Sequence, residues 1–128
     1  RKWHQKNTVE PNLKKGKIVI SDRSQFSSFA YGAASGVDLD YLFKINEKFI
    51  EPDLVILLNT SPKTCVERIK KRGDKETIFE KEKKLEKIWG AYEDLVEKFK
   101  NIIIVDGEKS IEQIADDIKK IINQKLRI

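Results

Sequence analysis

Three short aliphatic runs, Ile18-Val19-Ile20, Leu54–Leu58 and Ile102–Val105, punctuate this chain, and amphipathic segments lie between them. Runs of this kind, rich in Ile, Val and Leu and bounded by turn residues, read as buried strands. Strands alternating with helices predict an α/β fold with a parallel sheet flanked by helices. The strands are expected at residues 17–22, 53–59 and 102–105. Residues 1–15 read as helix, bent or ended near Pro11, whose ring crowds the preceding turn. Residues 23–37, rich in Ser, Gly and Ala, are expected to start as loop and become helical near Phe29.

The remaining helices carry start and stop signals. Asp38 or Asp40 caps a helix running to about Phe49. Ser61-Pro62 opens another, with Ser as cap and Pro where its missing N–H costs nothing, and Gly73 ends it. A long helix follows a polar loop, with Leu85, Ile88, Trp89, Tyr92, Leu95, Val96 and Phe99 at three-and-four spacing. The last helix opens on a capping box, Ser110 and Gln113, and its stripe is Ile111, Ile114, Ala115, Ile118, Ile121 and Ile122.

The 128 residues suit one small domain. Lys and Arg number 26 against 21 Asp and Glu, a net charge of +5 that suits an anionic ligand. The lysines are scattered, many beside glutamates on helix faces, and no nucleic-acid motif is present, so a basic module binding nucleic acid is the weaker reading. Cys65 is alone, which excludes an internal disulfide and fits a reducing, cytoplasmic setting. The longest apolar run, Leu54–Leu58, is far short of a membrane span, so no membrane partner is expected.

Chemistry concentrates after the first run. Asp22-Arg23 interrupts it, and charges there sit at the carboxyl tip of a strand, where ligands bind in open α/β sheets. Arg23 can bind a phosphate through two parallel hydrogen bonds. Asp22 can hold a water, an arginine or, through water, a magnesium ion. The plainer alternative is a structural ion pair.

The chain resembles the thymidylate kinases, P-loop kinases that move the γ-phosphate of ATP onto dTMP. The resemblance is carried by Arg1, Pro11, Leu13, Gly16, Asp22-Arg23, Ser27-Ser28, Ala30-Tyr31 and Pro52-Asp53-Leu54. It continues through Ser61-Pro62, Arg68, Arg72-Gly73, Glu76, Phe79-Glu80, Asp106-Gly107 and Ser110-Ile111-Glu112. It implies the nucleoside monophosphate kinase fold. No Gly-x-x-x-x-Gly-Lys-Ser/Thr stretch occurs, and there is no Met. The chain is therefore expected to be the C-terminal part of one P-loop kinase domain, inactive alone, with N-terminal strands missing and a lid at about 68–80. The resembled fold places the P-loop strand between 17–22 and 53–59, so those two strands should not pair.

The resemblance also implies roles. Arg1 would reach the thymine base, and Arg23 would hold the dTMP phosphate as a catalytic residue. Asp22, the other catalytic residue, would lie near Mg2+, the cofactor that accompanies ATP, touching it only through water. Ser27 and Ser28 would meet the thymine edge, or simply cap a helix. Tyr31 would pack on the deoxyribose, or in the core. Arg68, Arg72 and Glu80 would serve ATP, with Arg72 stacked on adenine, and Phe79 would approach the acceptor. Trp3 is expected in the core or an interface, and His4 at the surface.

Two departures from the family pattern stand out. Gly32 occupies a position where many bacterial relatives have glutamine, so one contact is lost or replaced. Thr77, Ile78 and Phe79 precede Glu80 with no arginine, only Lys75 nearby, which points to the subclass that carries its catalytic arginine in the P-loop. The implied function is thymidylate kinase, working as a homodimer towards dTTP synthesis. The alternatives are another nucleoside or nucleotide kinase of this fold, or a non-catalytic nucleotide-binding fragment.

Overall fold

Side-chain caps set the start of three helices, at the positions the sequence marks. The computed structural model describes residues 1–73 and 78–127, with the side chains of 78–80 excepted. Its helices are α1 (Lys2–His4), α2 (Glu10–Lys14), α3 (Gln25–Ala34), α4 (Leu39–Asn46), α5 (Pro62–Lys71), α6 (Ile78–Lys98) and α7 (Ile111–Leu126). Its strands are β1 (Val55–Asn59) and β2 (Ile102–Asp106). Asp38 caps α4 by accepting from the Tyr41 N–H at 3.0 Å. Ser61 caps α5 by accepting from the Thr64 N–H at 3.2 Å. At α7 the box closes both ways: the Gln113 N–H donates to Ser110 Oγ and the Ser110 N–H to Gln113 Oε1, each at 3.2 Å.

The described residues fall into two units, Arg1–Pro52 and Asp53–Ile128. In the second, β1 and β2 pair in parallel, with Val55 opposite Ile102 and Asn59 opposite Asp106. The connection between them is α5 and α6, which pack on each other, while α7 packs on β2. Among the described residues here, Val66, Ile88, Leu95 and Val105 are the buried apolar ones, and Leu95 is 0 % exposed. The long helical stripe therefore faces inward at Ile88 and Leu95 as its spacing predicts. Ile111 departs from its expected stripe: it lies in the first turn of α7 and is 83 % exposed. Lys81, one turn before Leu85 on the same helix face, is buried despite its charge.

The first unit is helical. Its core is Phe26, Phe29, Ala30 and Leu42, contributed by α3 and α4. Phe29 meets Phe26 edge-on at 5.8 Å and Phe43 edge-on at 4.8 Å. This spacing of 26, 29 and 30 is helical, which is why α3 begins at Gln25 rather than near Phe29: the serines and Gly32 do not break a helix whose apolar stripe has a partner. Gly32 lies where α3 meets α4, and a Cβ there would come within 2.7 Å of the Leu42 Cδ1. Near Pro11 the helix neither ends nor stays regular. A π-helical segment, Gln5–Val9, precedes α2, and the Glu10 N–H reaches back to the Gln5 carbonyl. The wider turn accommodates a ring that cannot donate an N–H.

One expected strand does not form. Residues 17–22 join no ladder, and the sheet has only β1 and β2 among the described residues. Ile18 is 66 % exposed and Ile20 84 %. An apolar run marks a segment that could be buried, but a strand exists only where a neighbour accepts its backbone hydrogen bonds. In the second unit β1 takes β2 as its partner, with Val55 opposite Ile102. Trp3, expected in a core or interface, is exposed in this unit.

Candidate functional site

Within the first unit, two arginines are fixed by side chains on adjacent positions of α3. Arg1 donates from Nη1 to Asn46 Oδ1 and from Nη2 to Ser28 Oγ. Its guanidinium also lies over the Phe49 ring, 5.2 Å from the centroid. Arg23 donates from Nε to Ser27 Oγ at 3.2 Å and stacks over the Tyr31 ring at 4.8 Å. Ser27 and Ser28 are consecutive, about 100° apart around the helix axis, so one helical turn presents both guanidinium groups.

The backbone at Arg23 is unusual. Its φ is 66°, left-handed for a residue with a Cβ, and the Ser21 hydroxyl donates to its carbonyl at 3.1 Å. A non-glycine residue held in this region costs of order 1–3 kcal/mol, and such residues concentrate at functional sites. The bend turns the chain from the extended run into α3. Asp22 beside it is exposed. It is a single carboxylate, which suits an outer contact to a cation through water better than direct ligation.

Polar side chains that the sequence does not single out brace the first unit. Ile50 is held at both ends: its N–H donates to Gln5 Oε1 at 2.9 Å, and its carbonyl accepts from Gln25 Nε2 at 3.3 Å. Gln5 Nε2 also donates to Glu10 Oε1 at 3.1 Å. These bonds tie the helix that begins after Arg1 to the end of α4 and the start of α3. Gln25 and Asn46 are buried polar residues. The available signal was position: Asn46 stands four residues after Leu42, on the buried stripe of an amphipathic helix, where a polar residue needs a partner.

In the second unit, the candidate ATP-side residues lie on α5 and just after it. Arg68 donates from Nη2 to the Gly107 carbonyl at 3.0 Å. Gly107 in turn donates its N–H to Asn59 at 2.9 Å, and a Cβ on it would meet Thr60 Oγ1 at 2.2 Å. Only glycine lets the chain leaving β2 pass this close to the chain leaving β1. Arg72 is exposed at the end of α5, and Gly73 follows with φ 81°. Glu108 accepts from the Ser61 N–H at 2.7 Å, and this bond, with the Thr64 and Ser61 hydroxyls, lowers its pKa. Burial pushes the Cys65 thiol pKa up, so it is a weak nucleophile. Glu76 and most of the expected lid loop lie outside the described residues. Phe79 and Glu80 belong to the first turn of α6, and their side chains lie outside what is described.

The family profile for thymidylate kinase matches residues 1–118. The chain belongs to the thymidylate kinase family. A probable thymidylate kinase of Thermococcus onnurineus is 41 % identical over 127 residues, covering 98 % of this chain and 62 % of its own length. A thymidylate kinase of Mesoplasma florum is 36 % identical over 135 residues, covering all of this chain and 64 % of its own. A probable thymidylate kinase of Archaeoglobus fulgidus is 33 % identical over 124 residues. The chain thus spans less than two thirds of the length of these relatives. Membership brings the P-loop nucleoside monophosphate kinase fold, of which the parallel β1–β2 pair flanked by helices is a part. No described helix is long and apolar enough to cross a membrane.

Proposed function

We propose that this chain carries the dTMP-binding part of a thymidylate kinase, which transfers the γ-phosphate of ATP to dTMP and yields dTDP and ADP. The observation that supports this most is the pair of guanidinium groups held by Ser27 and Ser28 on one turn of α3. A nucleoside monophosphate presents two features to recognise, a dianionic phosphate and a base edge, and two arginines answer them. Arg23 would pair with the phosphate. Neutralising that charge lets a second anion approach in line, which is most of what a protein contributes to phosphoryl transfer. Arg1 would donate to the thymine O4. The Ser28 oxygen, already accepting from Arg1, would accept from N3–H or donate its own proton to O4. Tyr31, lying against Arg23, would flank the deoxyribose and disfavour a 2′-hydroxyl.

Arg68, Arg72 and Glu80 are proposed for ATP, and Phe79 for the acceptor. Mg2+ would reach Asp22 only through water and would supply charge neutralisation at the ATP phosphates. The chain is proposed as the C-terminal part of one kinase domain. Alone, it is expected to bind dTMP without phosphorylating it. The complete kinase is proposed to be a cytoplasmic homodimer.

The test is a nucleotide panel. The chain is joined to the phosphate-loop segment of the Thermococcus onnurineus relative, and initial rates are measured with ATP and Mg2+ against dTMP, dUMP, dAMP, dCMP and dGMP. Preference for dTMP supports the proposal. Faster turnover of a purine or cytosine nucleotide would assign the chain to a different kinase specificity.

A further inference from the structure

We propose that Asn46 is a positioning residue for the base-reading guanidinium of Arg1; this rests on the assignment of Arg1 to the thymine edge. Asn46 is 8 % exposed, and both ends of its amide are committed. Nδ2 donates to the Leu42 carbonyl at 2.8 Å, and Oδ1 accepts from Arg1 Nη1. The first bond decides the second. With its NH2 turned to the carbonyl one turn back, the amide presents oxygen to Arg1, and the opposite flip would set donor against donor. The acceptor is therefore rigid, carried by the last turn of a packed helix.

Arg1 is the reverse: exposed, long, and outside the regular part of its own helix. A free arginine side chain has rotamer entropy to lose on binding a ligand. Asn46 and Ser28 take one N–H from each terminal nitrogen, and the Phe49 face holds the plane. A guanidinium has five N–H groups, so donors remain to meet a base oxygen along a direction already fixed. Of the three contacts, Asn46 is the buried one, and it is the one whose orientation does not depend on a rotating hydroxyl. The geometry assigns it to preorganisation rather than to substrate contact.

The experiment is calorimetric titration of the joined kinase described above, the chain completed by the relative's N-terminal segment, with dTMP and with 2-deoxyribose 5-phosphate, which keeps the sugar and phosphate and lacks the base. Asn46→Leu, similar in size and without an acceptor, should weaken dTMP about tenfold, the scale of one charge-assisted hydrogen bond. It should leave 2-deoxyribose 5-phosphate unchanged. Equal weakening of both ligands by Asn46→Leu would make Asn46 a structural residue only, and unchanged dTMP affinity would remove it from the site. If Asn46→Leu does not fold, Asn46→Ser replaces it with the same expected outcome: its hydroxyl can still bond the Leu42 carbonyl but is too short to hold Arg1. Arg1→Lys separates the two levels. Should it leave dTMP affinity intact, the assignment of Arg1 to the base fails; should it weaken dTMP while Asn46→Leu does not, only the positioning role fails.

Discussion

The two units of this chain are held together by different kinds of bond. Residues 53–128 rest on a parallel ladder, capped helices and an aliphatic core centred on Leu95. In residues 1–52 an aromatic core sits beneath a web of side-chain bonds from Arg1, Gln5, Gln25, Arg23 and Asn46. Caps and periodic stripes are local, so their effect is confined to neighbouring residues. In residues 1–52 the bonds of Arg1, Gln5 and Gln25 join residues 25 to 45 positions apart, and those of Arg1 and Arg23 orient guanidinium donors that a ligand can use, whereas the long-range side-chain bonds of Arg68 and Glu108 in the second unit go to backbone groups. The contrast suggests a division in which one unit supplies stability and the other a charged recognition surface.

The sharpest test of that division is Leu95→Ala. Its side chain is fully buried, and removing it should cost about 3–4 kcal/mol of unfolding free energy, from lost transfer energy and the cavity left behind. Urea unfolding measures this, and dTMP affinity of the folded fraction should not change. Arg23→Ala should do the opposite. It should weaken dTMP by on the order of 2–4 kcal/mol, a charge-assisted pair lost, with the urea midpoint nearly unmoved. A variant that moved both quantities together in either case would erase the distinction.

How far the sequence announces each unit follows from the same contrast. Asp38, Ser61 and the Ser110–Gln113 box are legible because a cap needs only a residue type and the three positions after it. The stripe through Ile88 and Leu95 is legible because the helical period repeats. The 17–22 run misleads because strand formation depends on a partner that no local pattern encodes. The last helix misleads in a smaller way: periodicity assigns a face, but Ile111 and Ala115 on it are exposed and the other isoleucines only half-buried, because a face is covered only as far as its neighbour extends. Of the candidate site, Arg23, Arg1, Ser27, Ser28 and Tyr31 were indicated by resemblance, and the structure brings them into two clusters; with no strand at 17–22, Asp22 and Arg23 do not sit at a strand tip. Their supports, Asn46, Gln25, Gln5 and Phe49, were not, because each acts across a distance in sequence that only the fold closes.

Two smaller effects sharpen the picture of the second unit. Ser110→Ala removes one half of the capping box and should cost about 1 kcal/mol, read from the urea midpoint. The smallest effect concerns Glu108. Its pKa is lowered from 4.5, chiefly by the Ser61 N–H, so its contribution is present above the ordinary carboxylate range and is lost as pH falls through the depressed value. Thermal melts between about pH 6 and pH 3 should show a slightly steeper loss for the parent than for Glu108→Gln, which has no such titration. Parallel curves would mean that the carboxylate at the start of α5 adds nothing measurable.

In the proposed function, residues 1–52 recognise dTMP through Arg1 and Arg23. The most direct test is a titration of the isotopically labelled chain with dTMP, followed by amide and arginine side-chain NMR. Shifts are expected at Arg1, Arg23, Ser27, Ser28, Tyr31 and Asn46 that saturate together, with the amides of α7 unmoved. Shifts confined to residues 53–128, or the same pattern produced equally well by dGMP, would contradict it.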